Sequence, residues 1–572
     1  MKKFNIKTNL ISFFVLAGFT AIGIRLFQVQ IFQHNYYTTV VNNKVDRVVK
    51  IQLPRGGILD CKNQTLATTI ATESCYIEPV KAKKYLNIGA LAKCTNLPVD
   101  YIFSKFKYRN KHVLLKENIL QEEVDKIKTT ALMNPKKKSN ESGIFFEKRQ
   151  LRIYPQKALA SYVVGAVGAD NKGQSGIELL FDGFLTGKLI AYTTTIDKKG
   201  RAITAPNIPE EEKAIILTID SKIQYAVEKE IEKAYLDTKP NLITCIVQNP
   251  QTGEILAMAT YPSFDLNLKH KRDQKMFRNP AIANTYEPGS VYKIVAAAAA
   301  LENNPEVYND KFYCELGKYR LSKDVIIHDA IHQYGLLSFE EIFAYSSNIG
   351  FAKLAKKIGS RRLWQYSRLF SFGEKTGIAL PAEEKGTLNP PTKWSGITCQ
   401  MMSFGQEVSV TPLQIVNAYS AIANGGFLME PLIVKSKVCN GKEQKVYEPC
   451  VIRRVMSQRT VSKMIQMLEA AVNYGTGDKA KIAGIRIAGK TGTAQKYDRK
   501  LKHYSEKKYV SSFVGFFPAD NPKATVLILI DEPTGDYWAS SVAAPVFKRI
   551  ASDILEYLNI QPVTEIASKH NL

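Results

Sequence analysis

A serine hydroxyl is a weak nucleophile at its ordinary pKa and needs a base within hydrogen-bond reach. The stretch Glu287-Pro288-Gly289-Ser290-Val291-Tyr292-Lys293 offers that pair. Pro288 and Gly289 predict a helix start, and the alanine-rich run through Ala300 predicts its body. Ser290 then falls in the first turn, where free backbone N–H groups and the helix dipole favour negative charge. Lys293, three residues on, lies on the same face one turn away. A lysine desolvated in a closed cleft sheds its proton readily and can serve as the base. Alone, Ser-x-x-Lys is weak evidence, because the spacing occurs by chance and a surface helix is its commoner setting.

Two further groups follow along the chain. Ser346-Ser347-Asn348 supplies two hydroxyls and an amide, and Lys490-Thr491-Gly492-Thr493 sets a cation among hydroxyls in a strand predicted over residues 485–495. A glycine inside a strand marks close approach of another backbone or a ligand. Singly, these tripeptides are a polar helix end and a strand kink; in this order along one chain, the three groups are far more specific. A competing pattern is His328-Asp329-Ala330-Ile331-His332, two histidines at the spacing of a zinc-binding helix. Asp stands where the general base should be Glu, Gly335 shortens any helix, and no third ligand is evident, so the histidines read as polar loop or helix residues.

The elements that must position these groups follow a polar, proline-bearing stretch at residues 206–213. A strand is predicted over 215–219, then a helix with Ile223, Val227, Ile231 and Tyr235 at spacing four. A hairpin is predicted over 243–247 and 254–260, and three late strands over 485–495, 509–517 and 524–530, with a final helix over 541–558. Two early and three late strands imply one antiparallel sheet closed by both ends of the domain, with a helical lobe between: an α/β layer architecture with a long insertion. The alanine run makes a thin helix suited to the interior.

The N-terminus reads as a membrane segment. Lys2, Lys3 and Lys7 precede an apolar run from Leu10 to Ile24, which resumes after Arg25 as far as Phe32. A span needs about 20 apolar residues, so Arg25 is placed near one interface. The lysines favour a cytoplasmic N-terminus, although Arg25, Lys44, Arg47 and Lys50 follow the segment. The alternative is a cleaved signal peptide, with Ala21 and Gly23 as a weak small-x-small site. Either way the body is exported. The net charge of +25 is scattered, with short runs such as Lys136 to Lys138 and no nucleic-acid-binding motif. It reads as a solvated lysine-rich surface, with affinity for anionic wall or lipid as the alternative. The eight cysteines have no C-x-x-C spacing, and Cys75 and Cys245 sit in apolar stretches that predict burial.

The trio resembles the signature of penicillin-binding proteins and β-lactamases, and the chain resembles a class B penicillin-binding protein, most of all the division-type (FtsI-like) enzyme. Arg55-Gly56-x-Ile58-x-Asp60, Arg152-x-Tyr154-Pro155 and Gly176-Ile177-Glu178 resemble motifs of that family's pedestal. Leu217 to Asp220, Thr252 to Met258 and Ser403-Phe404-Gly405-Gln406 resemble stretches of its transpeptidase domain. Cys61, Lys62 and Asn63 depart from the usual Arg-Asn-Gly, and Asn249 stands where Asp is usual. The resemblance implies a penicillin-binding transpeptidase fold, with a five-stranded antiparallel sheet flanked by helices, plus a helical lobe. It implies a stub and transmembrane anchor over 1–32, a mixed α+β pedestal over 33–207, the transpeptidase domain over 208–561 and a polar tail over 562–572.

It further implies acyl transfer at D-alanyl-D-alanine of peptidoglycan stem peptides. Ser290 is the nucleophile and Lys293 its base. Ser346 relays a proton to the leaving amine, and Asn348 binds the substrate amide. Lys490, Thr491 and Thr493 bind the terminal carboxylate, beside Gly492. The N–H groups of Ser290 and Thr493 form the oxyanion hole. β-Lactams are the implied covalent inhibitors; a membrane glycosyltransferase (FtsW-like) and other division proteins are the implied partners. No metal or organic cofactor is implied. The alternatives are an elongation-type enzyme, a β-lactamase, a penicillin-sensing receptor, or a scaffold with a dead site. Glu383, Glu384 and Asn389 fall in the interval where a lactamase carries its water-activating Glu, but at the wrong spacing, and Gly386 and Pro390 predict a surface turn there. The few residues before Leu10 leave a receptor no cytoplasmic signalling part.

Overall fold

The computed structural model describes residues 2–108, 112–131, 142–195, 211–268, 273–323, 325–329, 332–498 and 503–561. The polar tail, Lys136 to Lys138, Pro206 and Pro209 lie outside the described residues. The chain divides into two compact units, Met1–Pro54 with Gly187–Glu211, and Arg55–Thr186 with Glu212–Leu572.

In the first unit, apolar residues without a helix-breaking proline form a helix over Lys2–Phe27 that continues as a π-helical turn over Gln28–Phe32. Ile6–Phe32 has the length and composition of a membrane span. At 1.5 Å per residue, Arg25 lies about 28 Å along the helix from Ile6, close to the ~30 Å thickness of a hydrocarbon core. Its guanidinium donates to Gln28 Oε1 at 2.9 Å. A helix over His34–Val45 follows, and the strand Asp46–Gln52 pairs antiparallel with Leu189–Thr195.

The second unit holds two large sheets. A five-stranded antiparallel sheet runs in the order Ala488–Asp498, His503–Phe517, Ala524–Asp531, Leu242–Gln248, Ile255–Tyr261. The two early and three late strands therefore close one sheet, as their periodicity predicts. Alternation sends Cys245, Val247, Phe513 and Ile528 to one face, packed by the helices Ser221–Thr238 and Ala544–Tyr557. Ile246, Met258, Val514 and Leu527 pack the other face, in the core shared with Lys293–Asn303 and Pro412–Ala423. The alanines of Lys293–Asn303 let it run through the interior, with Ala296 to Ala299 fully buried.

A seven-stranded sheet takes strands from both sides of residue 207. Gly57–Leu59 pairs parallel with Lys213–Leu217, which pairs in turn with Val434–Cys439. The three pedestal-like motifs meet at one buried carboxylate. Glu178 Oε2 receives Arg55 Nε at 2.6 Å, and Oε1 receives Arg152 Nε at 2.7 Å and the Tyr154 hydroxyl at 3.2 Å. Arg55 also reaches Asp182 at 2.6 Å. At the two departures, Asn63 takes the left-handed conformation of a turn, at φ +62°. Asn249 Oδ1 accepts the Gln251 N–H at 3.0 Å, so the amide keeps an acceptor there. The eight cysteines are free, with Cys75 and Cys245 fully buried.

Candidate active site

Ser290 sits in a 3-10 turn, Gly289–Tyr292, that leads into the α-helix beginning at Lys293. The start is tighter than the plain α-helical turn expected, because Gly289 enters at φ +59° behind Pro288. Several contacts hold the turn. Gly289 N–H donates to Gly405 O at 3.1 Å, Tyr286 exchanges backbone bonds with Val410, and the Tyr419 hydroxyl donates to Val291 O at 2.9 Å. A Cβ on Gly405 would stand 2.1 Å from Gly289 O. The Ser403-Phe404-Gly405-Gln406 stretch thus clasps the Ser290 turn by direct backbone approach.

Lys293 is fully buried. Its Nζ lies 3.1 Å from both Ser290 Oγ and Ser346 Oγ, and donates to Ser346 O at 2.7 Å and Asn348 Oδ1 at 2.9 Å. Two of these neighbours can only accept, and two are hydroxyls. A neutral amine fits that set: two N–H donors for the acceptors and a lone pair for a hydroxyl proton. Burial lowers the lysine to about 7 from its ordinary 10.5, against the opposing influence of Asp329 and Cys314. Ser346 holds its place in the left-handed region, at φ +61°, between the helices Phe339–Ala344 and Asn348–Ile358.

The Ala488–Asp498 strand is an edge of its sheet, so one row of its backbone groups is open to an added strand. Side-chain alternation turns Thr491 and Thr493 into the cleft with Ser290, Ser346 and Asn348. Gly492 faces the Ser290 turn: a Cβ there would lie 2.9 Å from Val291 Cγ1 and 3.1 Å from Pro288 O, the close approach its presence in a strand predicts. Lys490 is fully buried beside the cleft, with only long contacts, 3.4 Å to Thr476 Oγ1 and 3.5 Å to Thr491 Oγ1. Burial, then repulsion from Lys293 whenever that lysine is protonated, push it well below its ordinary value. Thr493 Oγ1 accepts the Ala539 N–H at 3.1 Å, leaving its own proton for the cleft.

All eight expected residues therefore converge. Missed by sequence reasoning was Thr476, whose hydroxyl lies 2.5 Å from Thr491 Oγ1. Also missed were the aromatic rings of the cleft: Tyr334 with Tyr345, stacked at 5.2 Å, and Tyr509 with Tyr537, stacked at 3.9 Å. No spacing rule joins residues so far apart in the chain. The histidine pair does not form a zinc-binding helix face, because His328 ends the strand Ile326–His328. Among the described residues, none of those lining the cleft is an Asp or Glu. Glu383 is spent on the Thr376 N–H and hydroxyl, and Glu384 pairs with Arg278. A water-activating carboxylate of the lactamase kind is not placed there by either residue.

Comparisons with known proteins agree with this geometry. The penicillin-binding protein transpeptidase domain matches residues 243–552, and the penicillin-binding protein dimerisation domain matches residues 50–214. The chain is 32% identical to stage V sporulation protein D of Bacillus subtilis, over 95% of this chain and 84% of that one. It is 30% identical to the peptidoglycan D,D-transpeptidase FtsI of Buchnera aphidicola, over 90% and 89%. The crystal structure of penicillin-binding protein 3 from Mycobacterium tuberculosis, complexed with ampicillin, superposes with a TM-score of 0.69 at 27% identity, covering 91% of this chain and 98% of that one. The chain belongs to the class B penicillin-binding proteins, the serine D,D-transpeptidases of peptidoglycan synthesis.

Proposed function

We propose that this transpeptidase cross-links stem peptides in septal wall synthesis, through an acyl-enzyme on Ser290. The observation that carries the chemistry is the Lys293 amine, buried and set 3.1 Å from the Ser290 hydroxyl between two acceptor-only oxygens. Lys293 takes the Ser290 proton as Oγ attacks the penultimate carbonyl. The oxyanion is received by the N–H groups of Ser290 and Thr493; losing one such donor costs about 3–4 kcal/mol. Ser346 passes a proton to the departing D-alanine, and Asn348 binds the substrate amide. Lys490, with Thr491 and Thr493, draws in the terminal carboxylate, and Gly492 lets the strand close on the serine turn. An amine of a second stem peptide then takes the acyl group. β-Lactams enter by the same route and stay bound as acyl-serine.

The pedestal spans 33–207 and the catalytic domain 208–561, beyond an anchor at 1–32. A cytoplasmic N-terminus, with the catalytic domain outside the membrane, is supported by the N-terminal lysines. An FtsW-like glycosyltransferase and other division proteins are the partners. The septal role is supported by identity with the FtsI relative. A second reading, wall synthesis during sporulation, is supported by identity with the stage V sporulation protein.

Membranes incubated with a fluorescent penicillin test the chemistry. The full-length chain takes the label, and Ser290→Ala loses it. No label on folded wild type would overturn the reading. A fluorescent fusion at the septum of growing cells supports the division role; one at the lateral wall, or confined to sporulating cells, overturns it.

A further inference from the structure

The Ser346–Asn348 turn has a left-handed residue at its start, held in part by Ser346 and Ser347 N–H bonds to Phe343 O at 3.2 Å and Ile342 O at 2.9 Å. Ser346 has a side chain, yet sits at φ +61°, a conformation that persists only where the surroundings impose it. Besides Lys293 and Cys314, whose Sγ lies 3.3 Å from Ser347 Oγ, the segment that meets this turn is His328–Asp329, at the end of the strand Ile326–His328. Asp329 Oδ2 accepts the Ser347 hydroxyl at 2.8 Å, and Oδ1 accepts the Ile349 N–H at 3.0 Å. Ser347 Oγ caps the helix by accepting the Gly350 N–H at 2.9 Å. Next to it, His328 O accepts from Asn348 Nδ2 at 3.1 Å, which leaves Asn348 Oδ1 turned toward Lys293. Both partners of the Asp329 carboxylate are donors, and both lie at a helix N-terminus, where an anion is favoured.

We propose that Asp329 is a positioning residue of the transpeptidase centre: its carboxylate locks the Ser346–Asn348 turn in the conformation that receives Lys293 Nζ. This rests on Lys293 being the base for Ser290. Asp329 makes no ion pair with Lys293, so it acts on the lysine through the turn and through its charge. The titratable groups around the lysine are Asp329 and Cys314, which favour its protonated form, and Lys490 on the edge strand, with His328 and Tyr345 at the cleft. Loss of the Asp329 charge lowers the proton affinity of Lys293, so the acid limb of acylation moves to lower pH.

The test is the rate of acylation by a fluorescent penicillin across pH, for purified full-length wild type, Asp329→Asn and Asp329→Ala. Asp329→Asn keeps an acceptor for Ile349 and removes the charge. Its plateau rate should fall about 10-fold, and that of Asp329→Ala about 100-fold, since small misplacements of catalytic groups cost that much. The acid limb of Asp329→Asn should move down by about half a pH unit or more. A folded Asp329→Asn with wild-type plateau and limb overturns the proposal. So does a reduced plateau with an unmoved limb and a lowered melting temperature, which reports packing alone. If neither variant folds, Ser347→Ala removes one partner of the carboxylate while keeping its charge. A lower plateau with an unmoved limb then supports the proposal, and an unchanged plateau overturns it. Failure of wild type itself to label at Ser290 sinks the nucleophile assignment instead.

Discussion

Among the described residues, two places bury a pair of cations, and they do so on opposite terms. Arg55 closes on Glu178 and Asp182, and Arg152 on Glu178, so charge is matched within the fold. Lys293 and Lys490 are as deeply buried, yet among the described residues neither makes an ion pair. The difference suits the side chains. A guanidinium stays charged and forks onto a carboxylate, whereas a desolvated ammonium can give up its proton. The balanced cluster is structure. The unbalanced one is what the proposed chemistry calls for, with Lys293 as the proton acceptor and Lys490 to receive the substrate carboxylate.

The largest effect comes from breaking the unbalanced pair at its base. Lys293→Met should slow penicillin acylation by about 10²–10⁴-fold, measured by stopped labelling at neutral pH. The same change should raise stability, by about 1 kcal/mol or more. The folded lysine titrates at about 7 and the unfolded one near 10.5. The unfolded chain therefore binds the extra proton between those values, and wild-type stability rises with pH through that window. Lys293→Met should lose that rise, as read by denaturant unfolding at several pH values.

The balanced cluster should answer in the other currency. Glu178→Ala leaves two buried guanidiniums without their shared partner and should cost about 3–5 kcal/mol of stability, while folded molecules still label at Ser290. Lys490→Met should have the smallest effect of the three. On its proposed role it removes a hydrogen bond to the charged carboxylate of the substrate, worth about 1.5–3 kcal/mol. That loss should show in binding of carboxylate-bearing penicillins more than in stability.

The sheet was legible because its strands alternate or run continuously apolar between turn residues, as at Ile243 to Val247 and Ala524 to Ile530. The three groups of the candidate site were legible because each is local: one helix turn, one helix start, one strand. What lay beyond reading was made by contacts between distant residues. Arg55, Arg152 and Glu178 were visible as separate motifs, but nothing in their spacing shows that they share one carboxylate. Asp329 stood inside a pattern that resembled a zinc helix, and only the pairing of Ile326–His328 with Lys318–Arg320 turns it toward Ser347. Thr476 sits in a loop whose sequence gives no sign of the cleft it enters.

If a buried lysine without an ion pair is the base for Ser290, the pH dependence of Ser290 acylation must follow its titration. With the Lys293 amine titrating at about 7, the second-order rate constant should climb from acid pH and level off just above neutrality, and Lys293→Met should be slow and flat across that range. A wild-type rate that keeps climbing toward the ordinary lysine value near 10.5, or a Lys293→Met variant that retains the wild-type profile, would contradict it.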